Sequence, residues 1–249
     1  MKMNDRILGI DIGNTNISIS IHDGQSWSAE QRVKTKSKKA VPEVRAILNG
    51  IQCDKAVLSS VVPNLTGSIM EAVRTVVGLE PLEISRNIET GLVKESIPEE
   101  LGSDILCNLI AAHRIYPNEY VTVADFGTAF TTETVSPEGK VLGVTIGPGM
   151  MTSVKALFEN AAQLPEIRLD IPETVLGRDT VASIRAGVIY GFIGQLKGIV
   201  DQIEKEVGHK VIVVATGGFS RYLEGAIYVN RADVGFTLEG ARIACLLNS

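Results

Sequence analysis

Two short turns in the sequence combine an acidic side chain with glycine and small polar residues. The first is Asp11-Ile12-Gly13-Asn14-Thr15, and the second is Asp125-Phe126-Gly127-Thr128-Ala129, at an offset of 114 residues (125 − 11). Backbone N–H groups of a glycine turn can point at phosphate oxygens, because glycine lets the backbone approach closely. The neighbouring carboxylate suits a hydrated cation held against those phosphates. A single turn of this kind favours a simple hairpin, but the matched pair favours a phosphate and cation site.

Two further segments are candidates for chemistry. Asp104 follows Pro98 and Gly102 at a predicted helix start. There it fits an N-cap, and it could also accept a hydroxyl proton during phosphoryl transfer. The turn Thr216-Gly217-Gly218 directly follows an apolar strand, and it fits either a plain turn or a glycine surface for a flat ring. The sequence has no Walker A motif and no complete dinucleotide fingerprint, so phosphates would have to be held in another way.

The elements that must position these residues repeat along the chain. Each acidic turn joins an incoming apolar strand to an alternating one, within 7–21 and 120–135. Further strands are predicted at 27–34, 55–62, 82–85, 141–146 and 211–215, and helices at 42–48, 65–77, 104–115, 151–161, 180–207 and 238–247. The order predicts an α/β protein with two similar domains, 1–117 and 118–249. Two such halves that face each other would bring both acidic turns to one cleft.

Composition excludes several other classes of protein. The chain has 249 residues, is 45% hydrophobic and has a formal net charge of −5, which is typical of a globular protein without a nucleic-acid or membrane-surface partner. No apolar stretch has the length of a membrane span, and the first residues do not resemble a signal peptide. The three cysteines are scattered and suit a reducing cytoplasm, where we expect the protein to act.

Nine motifs in one order give the sequence a family resemblance. They are Asp11-x-Gly-Asn-Thr15, Ser59-Ser-Val-Val-Pro63, Pro98-x-Glu-x-Gly-x-Asp104, Asp125-Phe-Gly-Thr-Ala129, Gly147-Pro-Gly149, Leu164-Pro165, Gly177-x-x-Thr180, Thr216-Gly-Gly218 and Leu238-Glu-Gly240. Together they resemble the type III pantothenate kinases (Bvg accessory factor-like proteins) over nearly the whole chain. The resemblance implies an acetate kinase/sugar kinase/Hsp70/actin fold: two tandem ribonuclease-H-like (actin-like ATPase) domains with mixed β-sheets flanked by helices.

The resemblance also implies an activity and a homodimer. The activity is ATP-dependent phosphorylation of pantothenate to 4′-phosphopantothenate, the first step of coenzyme A biosynthesis, with Mg²⁺ and a monovalent cation, K⁺ or NH₄⁺. It gives Asp104 the role of general base, Asp11 a place near magnesium, and Asp125 the monovalent cation. The implied ATP-binding residues are Asp11, Ile12, Gly13, Asn14, Thr15, Asn16, Ile17, Ser18, Thr128, Thr216, Gly217 and Gly218. The implied pantothenate-binding residues are Gly102, Ser103, Asp104, Ile105 and Thr180.

Three positions depart from the family pattern. Ile105 stands where an arginine follows the catalytic aspartate, Glu95 stands where a tyrosine is usual, and Gly143-Val144 replaces a Gly-Gly pair. An arginine offers a carboxylate a fork of hydrogen-bond donors, whereas isoleucine offers none. Two alternatives to pantothenate kinase activity therefore stay open: a kinase for another small hydroxyl compound, and a catalytically silent nucleotide-binding or regulatory paralogue.

Overall fold

The computed structural model describes residues 5–160, 167–223 and 228–249. The strands of these residues are β1 (Ile7–Ile12), β2 (Asn16–His22), β3 (Gln31–Lys34), β4 (Lys55–Ser60), β5 (Leu82–Glu83), β6 (Val121–Phe126), β7 (Ala129–Val135), β8 (Val141–Pro148), β9 (Ile212–Thr216) and β10 (Arg231–Ala232). The helices are α1 (Ala40–Leu48), α2 (Pro63–Val76), α3 (Ser103–Ile115), α4 (Met150–Asn160), α5 (Thr180–Val207) and α6 (Phe236–Leu247), with short 3₁₀ helices at Lys94–Ser96 and Ser220–Leu223. Within these ranges, no helix has both the length and the apolar character that a membrane crossing requires.

The first five strands form one mixed sheet in the order β3-β2-β1-β4-β5. β1 is antiparallel to β2 and parallel to β4, and the register places Asp11 beside Ser59. Alternate isoleucines of β1 and β2 are completely buried, which is why this apolar pattern forms a sheet with one face on a helical layer. Because β1 and β4 are parallel, their carboxyl ends lie side by side at the same end of the sheet.

The remaining strands form a second sheet with the same topology, in the order β8-β7-β6-β9-β10. Its first strand, β6, is again antiparallel to the next strand and parallel to β9. The turns differ by one residue: Ile12 pairs with Ile17 across a four-residue loop, and Phe126 pairs with Phe130 across a three-residue loop. The repeated mixed sheet confirms the predicted α/β fold class.

Contacts divide the chain into two compact units. One contains the described residues up to Pro117 together with Glu138–Val141 and Phe236–Ser249, and the other contains the described residues of Asn118–Pro137 and Leu142–Gly235. By its packing, α6 belongs to the first unit, whereas the sequence division into 1–117 and 118–249 assigns it to the second domain. That division, which rests on the repeat, stays a prediction.

Several element boundaries differ from those that the sequence predicts. α2 begins at Pro63 rather than Leu65, because proline is well suited to the first helical position. β3 begins at Gln31 rather than Trp27, which forms an isolated bridge with His22. Ala161, the predicted end of α4, and the motif Leu164-Pro165 lie outside the described residues.

Candidate active site

The first acidic turn is closed by backbone bonds. The N–H of Gly13 donates to the carbonyl oxygen of Asn16 (3.0 Å), and the Thr35 hydroxyl donates to the carbonyl oxygen of Gly13 (2.7 Å). Asn14 and Thr15 are exposed at the tip of the turn. Ile12 and Ile17, in contrast, are completely buried in the core of the first unit. Within the predicted ATP-binding segment, these two residues can therefore offer a ligand only their backbone.

Asp104 occupies the first turn of α3. Its Oδ1 accepts a hydrogen bond from the backbone N–H of Ile105 (2.7 Å). A Cβ atom at residue 102 would lie 2.6 Å from the same Oδ1, so Gly102 leaves the space that the carboxylate fills. Burial is the main cause that raises the pKa of Asp104, although the N–H bond opposes it. A carboxylate that is poorly hydrated in this way is well suited to accept a proton.

A set of hydroxyl groups links Asp104 to the strand edge that carries Asp11. The Ser103 hydroxyl lies 3.1 Å from the Ser59 hydroxyl, and Ser59 is the register partner of Asp11. The buried Cys107 thiol forms a hydrogen bond with the Ser59 hydroxyl. Burial raises the pKa of this thiol, and the negative charges of Asp11 and Asp104 raise it further. The structure therefore brings Asp11 and Asp104 into one neighbourhood within the first unit.

The second acidic turn forms a separate cluster in the other unit. Asp125 is the register partner of Thr216, at the carboxyl ends of the parallel strands β6 and β9. Gly217 follows with a φ of +84°, and a Cβ atom there would overlap the Asp125 carboxylate and lie 2.8 Å from the backbone carbon of Phe126. Only glycine fits this close approach and this backbone angle. Gly218 has open space around it.

The loop before α4 packs against the tip of the same turn. The N–H of Gly149 donates to the carbonyl oxygen of Thr128 (3.1 Å), and the Thr152 hydroxyl donates to the same oxygen (2.7 Å). A Cβ atom at residue 149 would overlap the carbonyl oxygen of Gly127. The start of α4 therefore fixes the backbone around Thr128, a predicted ATP contact.

The oxygen atoms of this second cluster suit a cation. Thr216 is completely buried, and its Oγ1 has no hydrogen-bond partner among the described residues. The strand register pairs this residue with Asp125, and a hydroxyl and a carboxylate are both hard oxygen donors of the kind that alkali and alkaline-earth cations take. Within the described ranges, no group of three or more His, Cys, Asp or Glu side chains could hold a metal ion. A divalent ion would then depend on one carboxylate and on phosphate oxygens, as Mg²⁺ commonly does.

The substitution Thr216→Val tests whether the buried Thr216 hydroxyl has no hydrogen-bond partner in the ligand-free protein. Removal of a buried hydroxyl without a partner should raise the free energy of unfolding of the ligand-free protein by about 1 kcal/mol. The matched control is Thr122→Val on β6, whose buried hydroxyl bonds to that of Thr134 (3.0 Å), and we expect it to lower the free energy of unfolding by a similar amount. Chemical denaturation measures both, and a loss of stability in Thr216→Val would show that the hydroxyl has a structural partner.

The other predicted acceptor-side residues lie at two places. Ile105 is half-buried in the first turn of α3, and Thr180 is the exposed first residue of α5. Residues on both sides of Thr180, including Arg178 and Arg185, line a surface cavity of about 930 Å³. The described residues that line this cavity all come from 171–185, and the residues that surround Asp125 are not among them. Glu95 is exposed in the 3₁₀ helix Lys94–Ser96.

Sequence reasoning missed three contributors to the site. Ser59 and Cys107 were not assigned a role, although Ser59 lies near the end of an apolar strand parallel to the one with Asp11. Gly240 lies on α6, and a Cβ atom there would overlap the carbonyl oxygen of Cys107. The signal for Ser59 was present in the Ser59-Ser-Val-Val-Pro63 motif. Gly240 likewise belongs to the Leu238-Glu-Gly240 motif, but its contact with Cys107 could not be predicted from that motif, since it depends on how two distant helices pack.

Comparisons with known proteins identify the fold and the family. The family model described as type III pantothenate kinase matches residues 7–202. The type III pantothenate kinase of Moorella thermoacetica is 38% identical over 248 residues, which cover 95% of this chain and 97% of the relative. A Campylobacter jejuni protein described as a Baf family transcriptional activator has a solved structure with a TM-score of 0.60 at 18% identity, covering 95% of this chain and 96% of that one.

A second solved structure, MreB 5 of Spiroplasma citri bound to AMPPNP, has a TM-score of 0.52 at 8% identity and covers 96% of this chain and 95% of that one. At such low identity the likeness concerns the fold alone, and it agrees with the two mixed sheets in confirming tandem ribonuclease-H-like, actin-like domains. The family model and the close relative go further, because they match the sequence itself over most of its length. The chain belongs to the type III pantothenate kinase family.

Proposed function

We propose that the protein transfers the γ-phosphoryl group of ATP to the primary hydroxyl of pantothenate, which produces 4′-phosphopantothenate for coenzyme A biosynthesis. The observation that carries this proposal is the family match over nearly the full chain, together with a poorly hydrated carboxylate, Asp104, near the acidic turn of β1. The protein is thus a phosphotransferase with an alcohol group as acceptor.

Asp104 is the general base in this proposal. Its carboxylate takes the proton of the pantothenate hydroxyl, and the hydroxyl oxygen forms a bond to the γ-phosphorus while the bond to the bridging oxygen of ADP breaks. The raised pKa of Asp104 supports the role, since a stronger base holds the departing proton better. Burial also limits the water that competes for this carboxylate.

The groups that we assign to ATP are mainly backbone and small polar groups. The residues that we assign to ATP are Asp11, Ile12, Gly13, Asn14, Thr15, Asn16, Ile17, Ser18, Thr128, Thr216, Gly217 and Gly218. Asp11 would hold Mg²⁺, and Asp125 with the Thr216 hydroxyl would hold a monovalent cation, K⁺ or NH₄⁺. When bound, the cations offset negative charge on the phosphates.

The residues that we assign to the acceptor are Gly102, Ser103, Asp104, Ile105 and Thr180. A specific observation favours a second candidate function here, a kinase for another small hydroxyl compound. Ile105 presents an apolar side chain in the first turn of α3 where the family carries an arginine for the acceptor, and Glu95 replaces a tyrosine. A panel of hydroxyl acceptors separates the two candidates.

Purified protein incubated with ATP, Mg²⁺, K⁺ and pantothenate tests the proposal. We expect a product with the mass of phosphopantothenate, formed much more slowly by the Asp104→Asn control. If the protein binds ATP but phosphorylates no acceptor of the panel, a silent nucleotide-binding paralogue is the better interpretation. If it does not bind ATP, all three interpretations are wrong.

The substitution Ile105→Arg is expected to lower the KM for pantothenate about ten- to a hundredfold, because a charge-assisted bond to the pantothenate carboxylate contributes about 1.5–3 kcal/mol. Ile105→Met is the matched control, since it adds length without charge. Steady-state kinetics with each variant measure the effect. An Ile105→Arg protein with an unchanged KM would contradict the proposed place of the carboxylate.

We also propose that the protein is a homodimer in the cytoplasm. Family membership and the scattered cysteines support these two proposals. The mild negative charge supports the expectation that neither nucleic acid nor a membrane surface is a partner. Sedimentation of the purified protein measures the oligomeric state.

A further inference from the structure

The Ser103 hydroxyl connects the first turn of α3 to the end of β4. It lies 2.9 Å from the carbonyl oxygen of Ser60, to which it donates, and it accepts a hydrogen bond from the N–H of Ser60 (2.8 Å). The Ser59 hydroxyl lies 3.1 Å away on the same strand. One side chain thus holds both backbone groups of Ser60.

These contacts use the full bonding capacity of the hydroxyl. A serine hydroxyl has one hydrogen to donate and two lone pairs that accept. The hydrogen of Ser103 goes to the Ser60 carbonyl, one lone pair takes the Ser60 N–H, and the second takes the Ser59 hydroxyl. The hydroxyl therefore has no hydrogen left to donate to a substrate, and all of its hydrogen bonds are made within the protein.

The first turn of α3 depends on this anchor. The N-cap residue, Gly102, makes no side-chain bond to the helix, so it does not fix the start of α3 in the way that a serine or aspartate would. Ser103 precedes Asp104 directly, and β4 lies beside β1 in a register that pairs Ser59 with Asp11. The bonds of Ser103 thus fix the backbone of Asp104 relative to the strand edge with Asp11.

We propose that Ser103 is a positioning residue whose hydroxyl holds the Asp104 carboxylate in place relative to the phosphate turn of β1. The inference rests on the proposed function of Asp104 as the general base. It assigns the Ser103 side chain to the protein rather than to pantothenate, and it leaves the backbone of the Gly102–Ile105 segment available to the acceptor.

The test compares three variants of the full-length protein. Ser103→Ala removes the hydroxyl, and we expect kcat to fall about ten- to a hundredfold, because a small misplacement of a catalytic group has effects of this size. The KM for pantothenate and for ATP should change by no more than about twofold. Ser103→Thr keeps the hydroxyl and should recover most of kcat. Thr66→Val removes the hydrogen bond that Thr66 Oγ1 donates to the Ser60 side chain (Oγ, 2.8 Å), not to its backbone, and should leave kcat unchanged.

Hydrogen exchange provides a readout that does not need turnover. The amides of residues 106–108 should exchange about tenfold faster in Ser103→Ala than in the unchanged protein, and they should keep their protection in Ser103→Thr and Thr66→Val. Faster exchange with a reduced kcat and an unchanged KM supports the inference.

Three results would overturn it: a Ser103→Ala protein with normal kcat, a loss that appears in the KM for pantothenate, or a Ser103→Thr protein no better than Ser103→Ala. If the unchanged protein does not phosphorylate pantothenate, the proposed function falls. The anchoring role is then decided by the exchange data alone, supported by faster exchange in Ser103→Ala and refuted by unchanged exchange.

Discussion

Asp104→Asn is expected to lower kcat by about 10²- to 10⁴-fold, the usual range for the loss of a general base. The amide keeps the size of the side chain and an oxygen that can accept the Ile105 N–H bond, so the fold should not change. The amide cannot take the proton of the acceptor hydroxyl. Single-turnover measurements with saturating ATP and pantothenate isolate this chemical step.

The same substitution should increase stability at neutral pH. Burial raises the pKa of Asp104 in the folded protein, so the charged carboxylate is less stable there than in the unfolded chain. The penalty is complete above the folded pKa and disappears below the unfolded value of about 3.8. We therefore expect Asp104→Asn to have the higher Tm at pH 7 to 8, and the difference to shrink as the pH falls through the folded pKa.

Asp23→Asn is the matched control. This exposed carboxylate accepts backbone N–H bonds from Ser26 and Gln25, which lower its pKa, so its stability contribution has the opposite sign. Asp23→Asn should keep kcat and lose a little stability at neutral pH. An Asp104→Asn protein with kcat within about tenfold of the unchanged protein would contradict the base assignment, because a lost base costs at least 10²-fold.

Gly240→Ala should produce the largest loss of stability. A Cβ atom at residue 240 would overlap the carbonyl oxygen of Cys107 and lie 2.9 Å from its Cα atom. Because both atoms belong to the backbone of α3, no side-chain rotation can relieve the overlap, and one helix must move away from the other. We expect a loss of about 3 kcal/mol or more, at the upper end of the range for overpacking, and a Tm lower by roughly 6–12 °C.

Gly67→Ala provides the comparison for Gly240→Ala. Gly67 is an exposed helical glycine of α2 in the same unit, and a Cβ atom there would have open space. Alanine should raise the free energy of unfolding by about 0.5–1 kcal/mol at this position, because it favours the helix. Thermal unfolding of both variants separates the overlap from the helix preference. Equal melting temperatures for the two variants would mean that α3 and α6 do not pack as described.

Patterns within short segments of the sequence predicted the first strands and the repeat. The alternation of isoleucines predicted β1 and β2, and the matched acidic turns predicted a repeat that the two sheets confirm. The short strand β5 was predicted within 82–85, whereas the two-residue strand β10 was not, since it is too short to show a period. Trp27 was predicted to begin a strand, but its indole instead lies over Gly9 and donates to Glu239 (3.1 Å).

The site was predictable where one segment supplies all its parts. Asp104 and the two turns stand out from their sequence neighbours alone. The bond between Ser59 and Ser103 joins residues 44 positions apart, and the contact of Gly240 with Cys107 joins two distant helices. Such contacts depend on which elements become neighbours, and neither hydrophobic period nor turn chemistry contains that information. The sequence alone therefore predicts the chemical groups better than the residues that hold them.

The packing of α6 has a consequence for how the protein is made. α6 follows the second sheet in the chain, yet it packs against α3 in the first unit, through Gly240 and a hydrogen bond from Thr237 to Asn108 (2.9 Å). Domains commonly fold on the ribosome in the order of synthesis. Here the first unit cannot be completed until α6 has been synthesised, so a chain that lacks α6 would expose the face of α3 that α6 covers. The helix that carries Asp104 can therefore pack against α6 only after the second sheet has been translated.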